Sequence, residues 1–95
     1  MAIQPYAILY DETTNETRDV KVGGAKGRTE AFIDSSGVGT ATIFVRNTPT
    51  GSWKQELVLT NDDSAAIIIA PEYRVVGTGV AGQFVVAIGM PQVGL

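Results

Sequence analysis

The chain has 95 residues, 44% of them hydrophobic, a net charge of −3, no histidine and no cysteine. That length predicts one domain, residues 1–95, with room for a thin two-layer core but not for a core and a deep enclosed active site. The acidic balance argues against a nucleic-acid binder, which needs a basic footprint to displace counterions. The missing Cys and His remove disulfides, thiolate metal sites and the commonest general base.

The elements read as eight short strands in chain order: Tyr6–Tyr10, Asp19–Val22, Thr29–Ile33, Thr40–Arg46, Trp53–Thr60, Ala65–Ala70, Tyr73–Gly77 and Gln83–Ile88. The 11 glycines fall mostly between apolar runs, as tight turns between strands require, and no stretch carries helical periodicity. The fold class is therefore all-β: a single small antiparallel β-sandwich or barrel-like domain of about seven or eight strands.

Residues 1–5 read as an N-terminal arm without the basic and apolar blocks of a secretory signal, so a cytoplasmic place of synthesis is expected. Next, the tract Arg18–Arg28 sets Arg18, Lys21, Lys26 and Arg28 against one acid, Asp19, and its three glycines predict an exposed, mobile loop. The run Gly23-Gly24-Ala25-Lys26-Gly27 has the composition of a phosphate loop without its spacing or its following helix.

Alternation is clearest in Thr40–Arg46, where Ala41, Ile43 and Val45 share one face and Thr40, Thr42, Phe44 and Arg46 the other. Asn47–Gly51 then predicts a hairpin loop. In the fifth strand the same period places Trp53, Leu57 and Leu59 together, opposite Lys54 and Glu56. Asn61-Asp62-Asp63 reads as the turn of a second hairpin. Ala65–Ala70 and Gln83–Ile88 are apolar on both faces, which fits either a doubly covered central pair or a sheet face buried against another subunit. Asp62, Asp63 and Pro71 flank the first of these runs as guards against aggregation. Residues 90–95 form an apolar tail that Pro91 keeps from extending a central strand.

Catalytic and ligand chemistry has little to stand on. Adjacent carboxylates at Asp11-Glu12 and Asp62-Asp63 lie in turn-like contexts, and the spacing of a calcium loop is missing, so no catalytic residue, metal ligand or cofactor is expected. The Asn15-Glu16-Thr17 triplet reads as a chance glycosylation match. Trp53 and Phe44 are the rings expected to reach the surface, where subunit contact competes with sugar stacking.

From Val38 to Ile88 the order of features is Thr40-Ala41-Thr42-Ile43-Phe44-Val45, a Gly/Thr turn, Trp53, an apolar strand, Pro71-Glu72-Tyr73-Arg74-Val75, a Gly-rich turn and Phe84-Val85-Val86-Ala87-Ile88. In style this resembles the small β-sandwich structural proteins of tailed-bacteriophage virions. The resemblance covers about half the chain and has no invariant motif.

It implies a non-enzymatic virion component, foremost a capsid decoration or cement protein, with a fibre, baseplate or connector module that binds host glycan as the alternative. It further implies a homo-oligomer, a trimer by analogy, in contact with major capsid or other virion proteins and with neither nucleic acid nor membrane. Arg18, Lys21, Lys26 and Arg28 are then the expected capsid contacts, and Phe44, Trp53, Val85 and Leu95 the expected subunit interface.

Overall fold

The computed structural model describes the backbone over residues 3–22 and 30–91, and side chains over 7–22 and 30–89. Eight strands follow one another: β1 Ile3–Glu12, β2 Thr17–Lys21, β3 Glu30–Ser36, β4 Thr40–Arg46, β5 Lys54–Thr60, β6 Asp63–Ile68, β7 Glu72–Thr78 and β8 Phe84–Pro91. They form two antiparallel four-stranded sheets, sheet A in the order β1-β8-β3-β6 and sheet B in the order β2-β7-β4-β5. The predicted small β-sandwich is thus the fold.

The pairing has a simple logic. β4 pairs with β5, β3 with β6, β2 with β7 and β1 with β8, as though the chain were doubled back at the β4–β5 loop and the double ribbon then rolled up. Two more pairings, β3 with β8 and β4 with β7, knit the rolled ribbon into two sheets. This is the strand order of an eight-stranded jelly roll.

Between the sheets lies one core. Sheet A contributes Leu9, Tyr10, Ala31, Ile33, Ile67, Phe84, Val86 and Ile88, and sheet B contributes Ala41, Ile43, Leu59, Tyr73 and Val75. Apart from Leu9 beside Tyr10, where the register of β1 shifts, these are alternate residues of each strand, because successive side chains of a strand point to opposite faces. Ala41 and Ile43 are fully buried with Val45 packed beside them, as the alternation of β4 predicts. Tyr10 and Phe84 meet edge to face with ring centroids 6.0 Å apart.

Four sequence expectations are corrected. Asn61-Asp62 does not close a hairpin. It carries the chain from β5 in sheet B to β6 in sheet A, with Asn61 in the left-handed region at φ 57°. The Asn61 side chain accepts the N–H of Gly39, and the Asp62 carboxylate accepts that of Gly37, so this corner is bolted to the β3–β4 turn. A short polar turn looks the same in sequence whether it folds back in one sheet or crosses between two.

The strand read at Asp19–Val22 is β2, and it takes Arg18 to Lys21 out of the loop expected over Arg18–Arg28 by pairing them with Glu72–Val75 of β7; residues 23–29 lie outside the described residues. The expected N-terminal arm is in part strand too, since Ile3, Gln4 and Pro5 pair with Pro91, Met90 and Gly89. Finally, β8 is a central strand that does contain Pro91. Its pairing with β3 ends at Gly89, so Pro91 stands where no donor to β3 is required.

Candidate functional site

The two broad outer faces of the sandwich differ in character, and the difference follows from which residues each strand turns away from the core.

The outer face of sheet B is polar and cross-linked by ion pairs. The register places Asp19, Arg74 and Phe44 in one row and Lys21, Glu72 and Arg46 in the next. Arg74 donates to both carboxylate oxygens of Asp19, at 2.7 and 2.8 Å, in the two-pronged geometry that suits a guanidinium. Those bonds hold the Asp19 carboxyl below its ordinary pKa, against a smaller opposing effect of desolvation. Arg46 donates to Glu72 from Nε and Nη2 at 3.2 and 3.1 Å, and Glu72 is itself buried.

Trp53 joins this cluster. The Arg46 and Arg74 guanidinium carbons lie 4.2 and 4.7 Å from its ring centroid. The expectation that Trp53 shares a face with Leu57 and Leu59 is therefore wrong. Ile43 pairs with Leu57 but the next residue, Phe44, pairs with Gln55, so Glu56 is an extra residue in β5. That bulge reverses the parity of the strand: Leu57 and Leu59 face the core, while Gln55 and Trp53 turn outward.

The outer face of sheet A is apolar. Ile8 on β1 pairs with Ala87 on β8, Phe32 on β3 with Ala66 on β6, and Ile68 on β6 with Glu30 on β3. Ile8 is 51%, Phe32 38% and Ile68 37% exposed, and Val85 and Ala87 are half-buried beside them. The charged groups of this face among the described residues are carboxylates: Asp11, Glu30 and Asp34. A cleft of about 370 Å³ lined by Glu30, Ala31, Phe32, Glu56, Ala66, Ile67 and Ile68 opens along the β3–β6 border.

The candidate residues from sequence are dispersed over this frame. Arg18 is exposed on the edge strand β2, its Nε 2.8 Å from Glu12 with Glu16 at 3.8 Å, so local acids already neutralise it. The bond to Glu12 raises its pKa further. Lys21 is exposed at the end of β2. Lys26, Arg28 and Leu95 lie outside the described residues.

Phe44 and Trp53 are on the outer face of sheet B, whereas Val85 is on the outer face of sheet A. Those three therefore do not form one patch on a single chain. The glycosylation triplet has a structural use, because the Asn15 side chain accepts the Val80 N–H at 2.9 Å.

Sequence reading passed over Phe32 and Ile8 as surface groups. Phe32 alternates with the buried Ala31 and Ile33, and that period assigns it outward once Glu30–Ser36 is seen as one strand. No protein family, curated protein or solved structure matches this chain.

The described residues hold no group of three or more His, Asp and Glu side chains placed to bind a metal ion. Among the described residues no helix is long and apolar enough to cross a membrane. The two faces thus offer different contacts: apolar side chains on sheet A, and on sheet B a polar surface where Arg46 and Arg74 are paired with Glu72 and Asp19.

Proposed function

We propose that this protein is a non-enzymatic structural component of a tailed-phage virion, foremost a capsid decoration protein, and that it works by laying the outer face of sheet A against a neighbouring protein. The observation that carries this reading is that face. Ile8, Phe32, Ile68, Val85 and Ala87 leave apolar area in water on one side of a slab measuring 37 × 36 × 16 Å. Apolar surface grouped on one face and rimmed by polar residues marks a protein contact, and each broad side of the slab can supply the ~800 Å² per partner of a standard interface.

The jelly-roll order does not choose among functions, since capsid proteins, lectins and other proteins share it. The virion assignment comes from the resemblance in strand and turn style between Val38 and Ile88. The glycan-binding alternative rests on Trp53, and the geometry weighs against it: the guanidinium groups of Arg46 and Arg74 already stack on the ring a sugar would need.

The test is cosedimentation with assembled heads, expanded and unexpanded, and with free coat protein. Binding to a shell but not to free coat protein is expected, and Ile8→Glu or Ala87→Glu weakens it at least tenfold while the variants stay folded. Failure to bind either form of head refutes the reading, and sugar binding that Trp53→Ala abolishes replaces it with the alternative.

A further inference from the structure

Each sheet ends in two strands whose outer backbone groups have no strand beside them among the described residues: β1 and β6 in sheet A, β2 and β5 in sheet B. Such an edge is a template for further pairing, and proteins that stay apart blunt it with charge, proline or a bulge. Three of the four edges are blunted here. β1 contains Pro5 and has register shifts between Pro5 and Ala7 and between Ile8 and Tyr10. β2 carries Arg18, Asp19 and Lys21. β5 has its bulge at Glu56, two residues from Lys54.

β6 has neither proline nor bulge, and its one charge is Asp63 at its first residue, so Asp62, Asp63 and Pro71 flank residues 64–68 without guarding them. Its register with β3 runs unbroken from Glu30 opposite Ile68 to Ser35 opposite Asp63, and Ser64-Ala65-Ala66-Ile67-Ile68 has neither charge nor proline.

We propose that β6 is a self-pairing edge: β6 of one copy pairs antiparallel with β6 of a second copy across a two-fold axis at Ala66, merging two A sheets into one continuous sheet. The occupant follows from the strand's own sequence. In such a pair, residues facing each other must share a sheet face, so only registers that match odd with odd and even with even are allowed. With Ala66 opposite Ala66, Ser64 faces Ile68 and Ala65 faces Ile67, so small meets large, and Asp63 lies beyond the five paired residues of each strand. Centring on Ala65 instead sets Asp63 against the core-facing Ile67, and centring on Ile67 leaves only residues 66–68 of each strand opposite one another. The strand is complementary to itself in one register.

The cleft along this edge is lined by Phe32, Ala66, Ile67 and Ile68 together with Glu30 and Glu56, and the added strand would extend its apolar part. This inference is independent of the shell-binding role. It also departs from the three-fold assembly that the virion resemblance implies, because a two-fold edge pairing closes at two chains.

The chain has no cysteine, so Ala66→Cys introduces one reactive thiol per copy. Residues directly opposite in an antiparallel pair have Cα atoms about 4.5–5.5 Å apart, within disulfide reach. Mild oxidation is expected to link most of the Ala66→Cys chains into dimers, while Val58→Cys, exposed on sheet B, remains largely single. Sedimentation equilibrium of the native chain should show a two-chain species.

Ser64→Lys or Ile68→Glu alone should raise its dissociation constant about tenfold or more. The two together should restore it, since the new ammonium and carboxylate face each other across the axis. A native chain that stays monomeric, a three-chain species, or Ala66→Cys linking no faster than Val58→Cys overturns the proposal. Loss of shell binding with the dimer intact counts only against the virion reading.

Discussion

Gly77 offers a sharp test of the core, because two physical effects predict opposite signs there. Replacing a strand glycine by alanine should stabilise by roughly 0.5 kcal/mol, through lost entropy in the unfolded chain and better strand propensity. The local space says otherwise. A Cβ built on Gly77 falls against the Tyr10 hydroxyl, 2.6 Å from Cζ and 3.0 Å from Cε2 of the ring. Tyr10 is fully buried and cannot swing aside.

Its hydroxyl donates to the Thr14 carbonyl at 2.6 Å and accepts the Glu16 N–H at 3.0 Å, while the Gly77 N–H donates to Glu16 at 2.9 Å. Overpacking at such a site costs about 1–3 kcal/mol. With the two freed backbone partners added, Gly77→Ala should destabilise by about 3 kcal/mol, lowering Tm by roughly 12–20 °C in a chain of this size.

Tyr10→Phe alone should cost about 2 kcal/mol, since it leaves a carbonyl and an N–H without their partner. The double variant should cost at least about 1 kcal/mol less than the sum, because removing the hydroxyl relieves the closest overlap. Urea denaturation of the four proteins measures this cycle. A neutral or stabilising Gly77→Ala, or strict additivity, would refute the packing described for this corner.

Trp53 is the sole tryptophan, so its emission reports on the Arg46–Trp53–Arg74 stack. The hydrogen bonds from Arg74 depress the Asp19 pKa, so the stabilisation from this pair is fully present above the ordinary carboxylate value of about 3.9 and is lost as pH falls through the lower folded value. A fluorescence change below pH ~4 that Asp19→Asn abolishes is expected; a titration unaffected by Asp19→Asn would contradict the pairing. Burial raises the Tyr73 pKa, opposed by the Ala70 N–H that its hydroxyl accepts at 2.9 Å. The unfolded chain therefore releases this proton first, and stability should decline as pH rises beyond about 10, less so in Tyr73→Phe, as alkaline melts would record. Glu72→Ala leaves the Arg46 guanidinium without its buried partner and should cost about 1–3 kcal/mol by chemical denaturation.

Local order was legible wherever one strand face was buried and the other wet. Thr40–Arg46 reads correctly to the residue because alternation, a following Asn-Thr-Pro-Thr-Gly loop and the absence of any bulge on its own chain agree. The third strand reads as ending at Ile33 because Asp34-Ser35-Ser36 has the composition of a polar turn. Ser35 is nonetheless buried, its hydroxyl donating to the Asn61 carbonyl at 2.5 Å.

Alternation alone puts Trp53 on the wrong side, because nothing in Lys54-Gln55-Glu56 announces the bulge, which exists only relative to β4. Long-range partners left no local trace either: Asp19 and Arg74 are 55 residues apart. The apolar outer face of sheet A was visible as doubly apolar strands in the second half. Its other members, Ile8 and Phe32, come from the first half and join only when strand order is known.

The nested pairing of the strands also governs how the molecule must form. β4 and β5 are neighbours in the chain and can zip together early, whereas Ile3 finds Pro91 only after nearly the whole chain has been drawn in. Each later pairing in the series closes a longer loop and becomes affordable once the pairing inside it is made. A fold so dominated by distant contacts belongs among those that take about milliseconds to seconds. Until β8 inserts between β1 and β3, β6 is joined to a half-built sheet, and its unguarded edge is then most open to another chain at the same stage. Refolding yield should therefore fall with protein concentration even where the finished domain is stable.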